Sequence, residues 1–585
     1  MGVKIIPTVW REVWDFFGDY KRRAIYVLIM LVLASFFEAV SIGLLMPMLD
    51  LIINENTDSI LGNILLSSFG DISTKDALVI VLIVFLLFIV LKNVFVLIKV
   101  NLHGKFSFGM RGYWMKTLME KYISSDYNYI LDNQQGVLIN NILVESEKSQ
   151  FCLKYIIQFV SSFLLTLFFV AVMLVTSWEI TLFFAVISGA VVGVSNRFTS
   201  SFSRSVGDRK IKYARAVSNS VSEGISLVKQ IKVLGSEHRV TSDFGAKIDK
   251  YIKTLTSFFV FARIPSSIAE VLNVAVVVSA AIFSLIYTSI AIKDLIPIIA
   301  VFVVIGSRLS AQIGQLINSK MEILSNLQSL RNVDALINHD IETENLEKGE
   351  VCVGVSENID IKNVSFYYDK SKVIFNNLNF TIPKGKLVFL IGESGSGKSC
   401  IVDILLRLQQ PKSGKVLSGS HDISHYSKSS WRTKIGYVSQ DVLLFNKSIR
   451  QNILDGGLHA SEEDIYEVLN RVNAYEFVMA LPNGLDTIVG DRGAKLSGGQ
   501  RQRLSLARAI MRDVDFLILD EATSAMDQQL EEKIIEEIKL NFSRKTVLFI
   551  THRLSTAVHA DVVYKLDKGE VELITKTDLD KLRGS

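Results

Sequence analysis

The stretch "KLVFLIGESGSGKSC", residues 386–400, ends an apolar run in small residues spaced to wrap phosphate. Gly392, Gly397, Lys398 and Ser399 fit G-x-x-x-x-G-K-[ST], with Glu393, Ser394, Gly395 and Ser396 between them. Such a loop lets backbone N–H groups curl around phosphate oxygens, and the following helix adds its positive N-terminal end. Lys398 is placed to reach the β/γ-phosphates of a nucleotide and Ser399 to ligate Mg²⁺, with Cys400 next in the expected contact set. A chance match is the plain alternative, and a second motif argues against it. In "DFLILDEATSAMD", residues 515–527, four apolar residues predict a buried strand that delivers Asp520 to Mg²⁺. Glu521 follows, placed to polarise an attacking water; a helix N-cap is the bland reading of the same pair. Between the two lies "KLSGGQRQRLSLARA", residues 495–509. Ser497, Gly498 and Gly499, with Gln500, open a helix and predict a second anion-binding end. A domain with a phosphate loop of its own needs such an end only to serve the nucleotide of another copy.

The elements that must position these residues divide the chain in two. Its 585 residues have a mean hydropathy of +0.34, an average over unlike halves. Residues from about 24 to 318 hold long apolar runs, whereas those beyond about 355 read as a soluble α/β domain. The expected boundaries are a transmembrane domain at 1–330, an acidic linker at 331–355 and a nucleotide-binding domain at 356–585. The stretch Asn338–Asp360 carries seven acids against one lysine and predicts a solvated connector. A net charge of +4 is too small to argue for nucleic acid. Cys152, Cys352 and Cys400 form no CxxC pair, so neither a zinc site nor a disulfide framework follows. The first 23 residues are charged throughout, unlike a signal peptide.

Six spans are predicted, at roughly 24–53, 77–103, 156–177, 178–196, 266–290 and 295–318. Each approaches or exceeds the roughly 20 residues that cross a bilayer's hydrocarbon. Lys21, Arg22 and Arg23 before the first span, and the Lys/Arg-rich connections at about 104–155 and 197–265, place both termini in the cytoplasm. Trp10, Trp14 and Phe17 recur on one helical face and predict a helix lying at the interface plane.

In its soluble half the chain resembles an ATP-binding cassette (ABC) domain. The fold class this implies is a membrane all-α six-helix exporter domain followed by an α/β P-loop ATP-binding cassette. "VSFYYDK" resembles the adenine-stacking loop, with Tyr368 as the ring and Tyr367 beside it as the other candidate. The resemblance further implies Gln440 as Mg²⁺ sensor, Asp527 in a dimer-contacting loop and His552 as the γ-phosphate switch. Catalysis would fall to Glu521, His552, Gln440 and Lys398. "DYNYILDNQQGVLINNILVESE" and "GISLVKQIKVLGSEHRV" resemble segments that dock membrane helices onto cassettes. ATP and Mg²⁺ as cofactors, a homodimer and a bacterial cytoplasmic (inner) membrane location are implied. Nucleic acid is not expected as a partner, because ABC-type ATPases that serve it carry no spans.

Charges inside the spans bear on cargo. Glu38 lies in "LASFFEAVSIGLLMPMLD", Lys92 in span two, and Arg308 and Gln312 in span six. At about 1.5 Å per residue, Lys92 falls in the cytoplasmic-side half and Glu38 nearer the middle or outer half. Arg308, Gln312, Gln315 and Ser319 form one stripe, predicted to line a hydrophilic cavity or else to pack on a polar helix. With Lys99 and Arg263 the inner cavity is expected to be cationic and suited to an anionic headgroup. "SFFEAVSIGLLMPML" resembles the first span of lipid-linked oligosaccharide flippases. The expected activity is ATP-driven flipping of a polyprenyl-pyrophosphate oligosaccharide, with export of a peptide or small amphiphile as the alternative.

Overall fold

The structure is a computed structural model. It describes residues 20–54, 73–182, 185–186, 209, 212–214, 216–287, 292–341, 343–355, 357–368, 373–455, 460–541, 545–553 and 556–575. The expected interfacial helix around Trp10 and most of the fourth span lie outside the described residues. The chain divides into two compact units, Met1–Ile123 with Asn133–Ile341, and Ser124–Asp132 with Glu342–Ser585.

The first unit is helical. It contains α1 (Lys21–Gly43), α2 (Leu45–Ile53) and α3 (Thr74–Ile123). The short α4 (Tyr127–Asp132) belongs to the second unit. Then come α5 (Ser146–Thr176), α6 (Glu237–Tyr287) and α7 (Ile292–Ala335). Four helical stretches among the described residues are long and apolar enough to cross a membrane: Lys21–Ile53, Thr74–Ser124, Gln135–Thr176 and Leu295–Asn338. The fifth expected span lies in the second half of α6. The first expected span is two helices rather than one, broken at Leu44. Pro47 causes the break, since it lacks an N–H and its ring crowds the carbonyl four residues back. The third span ends at Thr176, with Ser177 extended at φ −160°.

Phe169 and Met173 of α5 pack against Val301, Phe302, Ile305 and Leu309 of α7, with Ala39 and Ile42 of α1 and Val276 and Val277 of α6. The opposite faces are apolar as well. Ile83, Leu86 and Leu97 of α3 stay exposed, the pattern of a helix that meets lipid instead of water.

Among the described residues the second unit has ten strands: β1 (Ile359–Tyr367), β2 (Val373–Ile382), β3 (Leu387–Gly392), β4 (Ser413–Ser418), β5 (His421–Asp422), β6 (Ile435–Val438), β7 (Phe516–Asp520), β8 (Thr546–Thr551), β9 (Val562–Asp567) and β10 (Glu570–Ile574). One sheet is antiparallel in the order β2-β1-β4-β5; the other runs β10-β9-β3-β8-β7-β6. Within the second sheet β9, β3, β8, β7 and β6 are parallel neighbours. Gly392, Asp520 and Thr551 therefore end adjacent strands at one sheet edge, where open α/β sheets place their ligands. Burial explains the strands' composition: β3, β7 and β8 are covered on both faces and read as unbroken apolar runs. The helices that follow the site are α8 (Lys398–Leu405), α9 (Gly498–Met511) and α10 (Gln528–Asn541).

The acidic stretch expected as a solvated connector is largely exposed from Thr343 to Val351, and it is also bonded to the cassette. Residues 331–335 continue α7, and the segment after Ile341 is stitched to the cassette. Glu350 N donates to His425 O at 2.9 Å, Ser427 N donates to Glu350 O at 2.7 Å, and Glu344 pairs with Lys428. Its acids are thus partly consumed by local partners, which charge counting along the sequence does not reveal.

Candidate functional site

β3 delivers Gly392 to the sheet edge, and the chain turns through 393–397 into α8. Close approach, rather than flexibility, requires two of the glycines. A Cβ on Gly392 would meet the Leu566 carbonyl at 2.5 Å, and one on Gly397, at φ +105°, would meet Ile374 Cγ2 at 2.7 Å. Lys398 is buried and donates to the Gly392 and Glu393 carbonyls at 2.8 and 2.7 Å, so its ammonium lies over the loop. Burial lowers its pKa, and Glu521 and Asp520 counter the shift. Ser396 Oγ is buried with no hydrogen-bond partner, a loose donor in the cradle. A buried orphan of this kind is costly unless a ligand takes it.

Asp520 ends β7 with 6% of its surface exposed. Burial first, then repulsion from Glu521, pushes its carboxyl up to about 6, against the pull of Lys398. Glu521 has φ +49°, an uncommon conformation for a side chain of its size, which turns its carboxylate out of the strand direction. Its Oε2 accepts from Gln440 Nε2 at 2.7 Å, and its Oε1 lies 3.3 Å from His552 Nδ1. Three residues expected to act together are thus brought together from positions 81 and 31 apart in sequence. The hydroxyl of Ser399, the carboxylate of Asp520 and the amide oxygen of Gln440 are hard oxygen donors of the kind Mg²⁺ takes.

Of the two tyrosine candidates, Tyr368 lies on the phosphate-loop side. Its hydroxyl is 3.5 Å from Cys400 Sγ on α8, whereas Tyr367 has the Lys412 ammonium over its ring. Cys400 itself is buried and free. Ser497 caps α9 in a reciprocal box with Gln500, accepting from Gln500 N at 3.3 Å. Gly498 and Gly499 press against Ala525, where a Cβ would come within 3.2 and 3.1 Å. Among the described residues no hydrogen bond joins Ser497–Gln500 to the phosphate loop. Asp527 Oδ1 accepts from Leu530 N at the start of α10.

Sequence reasoning missed several residues that hold this site. Asp403 lies on α8, and burial together with the charge of Asp520 pushes it up to about 6. Gln502 on α9 donates to Ser524 Oγ at 3.1 Å and accepts from Ala525 N at 3.0 Å. In the loop expected to be the first cytoplasmic one, the segment that resembles helix-docking segments begins at Asp126. Its α4 is held by buried Gln409, whose Nε2 donates to Asn128 Oδ1 at 2.6 Å.

Glu38 and Lys92, expected at different depths, form an ion pair at 3.6 Å. Phe37 stacks on Phe95 at 4.8 Å and meets Phe88 at 5.6 Å, flanking the pair with rings. The polar stripe of α7 splits. Gln315 accepts from Gln158 and Ser162 of α5 at 2.7 and 3.0 Å, and Ser319 is buried, so its lower part packs on a polar helix. Gln312 is half-buried, while Arg308 is exposed and makes no ion pair among the described residues.

The sequence pattern of the ABC transporter family matches residues 375–524, and that of the ABC transporter transmembrane region matches residues 27–309. The heterocyst differentiation ATP-binding protein HepA of Nostoc sp. is 30% identical over 564 residues, covering 94% of this chain and 90% of that protein. An ATP-dependent lipid A-core flippase of Albidiferax ferrireducens is 29% identical over 479 residues, covering 80% of each chain. The solved structure of a bacterial Atm1-family ABC exporter with ATP bound shares the fold. Its TM-score is 0.72 at 21% identity, covering 97% of this chain and 96% of that one. A helical membrane domain followed by a nucleotide-binding α/β domain of this kind defines a half-transporter that couples ATP hydrolysis to export. The chain belongs to the ABC transporter family, as a multi-pass membrane protein.

Proposed function

We propose that two copies of this chain flip an anionic lipid-linked saccharide, of the polyprenyl-pyrophosphate class, from the cytoplasmic to the outer leaflet of a bacterial inner membrane. Both termini face the cytoplasm in this reading. The observation that carries the cargo class is Arg308, an exposed guanidinium on the apolar helix α7 with no ion pair among the described residues, whereas Lys92 of α3 is already paired with Glu38. A charge left free at such a position is expensive unless it serves a ligand or a water-filled path. Kinship to a lipid A-core flippase supports a phosphorylated, sugar-bearing lipid. Glu38 and Lys92, first read as substrate contacts, become supports for the helix pair, and Gln312 is a lesser contact one turn from Arg308.

For turnover, Glu521 orients water, His552 and Gln440 hold Glu521 and sense the γ-phosphate, and Lys398 with the loop amides Gly392–Ser399 binds phosphate. Tyr368 stacks on adenine, and Ser399, Asp520 and Gln440 hold Mg²⁺, which supplies charge neutralisation at the phosphates. Ser497, Gly498, Gly499 and Gln500, with Asp527, serve the nucleotide of the second copy. Closing on two ATP molecules shifts the membrane helices because one conformation binds nucleotide more tightly.

Reconstitution into liposomes tests the cargo. Arg308→Ala is expected to cut flipping of a pyrophosphate-linked glycan about tenfold, the size of one lost charge-assisted contact, with basal ATPase within about twofold. Equal flipping by the variant, or transport of peptides or amphiphiles but not of that lipid, overturns the reading.

A further inference from the structure

The deepest buried charge of the cassette is one that no step of turnover uses. Glu531 on α10 is 1% exposed. One carboxylate oxygen accepts from Thr523 Oγ1 at 2.5 Å, and the other accepts from Arg553 Nη1 at 2.8 Å. Arg553 directly follows His552, and its Nη2 donates to the Ser524 carbonyl at 2.9 Å. Thr523 and Ser524 lie in the loop that runs from Glu521 to Asp527. The same loop is held from its other side by Gln502 of α9, whose amide bonds Ser524 Oγ and Ala525 N.

We propose that Glu531 is a positioning residue: through Arg553 and Thr523 it clamps the His552 loop to the Glu521–Asp527 loop and sets the 3.3 Å approach of His552 to Glu521. A buried carboxylate demands a cation, and the pairing observed draws the residue after His552 toward the residues after Glu521. The clamp makes the histidine follow that loop, which packs against Gly498 and Gly499 at the start of α9. Motion of the α9 end is thereby passed to the water-orienting carboxylate. The inference rests on the catalytic reading of Glu521 and His552 given above.

Full-length protein in liposomes tests it, with Glu531→Gln as the main variant, because Glu531→Ala strands a guanidinium and threatens folding. The amide keeps the shape and accepts one weaker hydrogen bond. Expected is a fall of about tenfold in kcat for ATP, with KM within about twofold, since the phosphate loop is untouched. A purely structural role would lower the thermal midpoint and leave kcat per folded molecule unchanged. Thr523→Val, which removes the other carboxylate partner, is expected to lower kcat less and in the same direction. Wild-type kcat in folded Glu531→Gln overturns the proposal. Glu521→Gln is run beside it: if that variant still hydrolyses ATP, the catalytic reading fails and the clamp falls with it. If it is inactive while Glu531→Gln turns over normally, only the clamp fails.

Discussion

Asp520 sits between a repelling neighbour, Glu521, and an attracting one, Lys398, in a buried position that favours its protonated form. A carboxyl must lose its proton to ligate a metal, so protonation of Asp520, whose carboxyl is pushed up to about 6, competes with Mg²⁺ as the pH falls. Mg²⁺-dependent nucleotide binding is expected to be flat above neutrality and to weaken by up to about tenfold for each unit below pH 6. Titration of MgATP affinity from pH 8 to pH 5 checks this against Asp520→Asn, which lacks the group and should lose that part of the slope. An identical pH profile in the variant would assign the dependence to the nucleotide itself. The same residues show what a sequence reveals. Asp520 and Glu521 were legible because an unbroken apolar strand announces where it ends. Glu531 was not: it lies in "DQQLEEKIIEE", where its neighbours are solvated acids, and only folding brings Arg553 to it.

At the level of elements, α4, in the segment that resembles a helix-docking one, belongs to the cassette unit and is held there by Gln409. Gln409 is buried, and Asn128 is itself oriented by Asp126, which accepts from both its N and its Nδ2 at 2.8 Å. Replacing Gln409 by Leu removes the hydrogen bond while keeping the volume. A lost bond of about 1 kcal/mol predicts roughly fivefold weaker coupling. Transport per ATP hydrolysed should fall by that factor, with ATPase itself within about twofold; a parallel fall in both would mean a damaged nucleotide site instead. The segment that carries α4 was singled out in the sequence by its resemblance to helix-docking segments. Its partner was not, because a glutamine four residues past the end of α8 has no signature until it is buried. The break at Leu44 was readable in principle from Pro47, yet hydropathy averages across a single proline and reports one continuous span.

For the whole molecule, the proposed pairing of copies makes a specific demand. If the Ser497 end of one chain completes the phosphate loop of another, two differently damaged chains can rescue each other. Lys398→Ala spoils the loop of its own chain, and Ser497→Arg spoils the site of its partner. Each is expected to be inactive alone, while co-reconstituted chains recover ATPase above the sum of the two, since one of the two sites in a mixed pair is intact. No recovery on mixing would place both halves of the site in a single chain. The membrane unit carries its own interdependence. Glu38 belongs to the first expected span and Lys92 to the second, and neither sits easily among hydrocarbon chains without the other. The earlier helix therefore has no settled place in the bilayer until the later one has been synthesised beside it, so biogenesis of this protein begins with a two-helix unit.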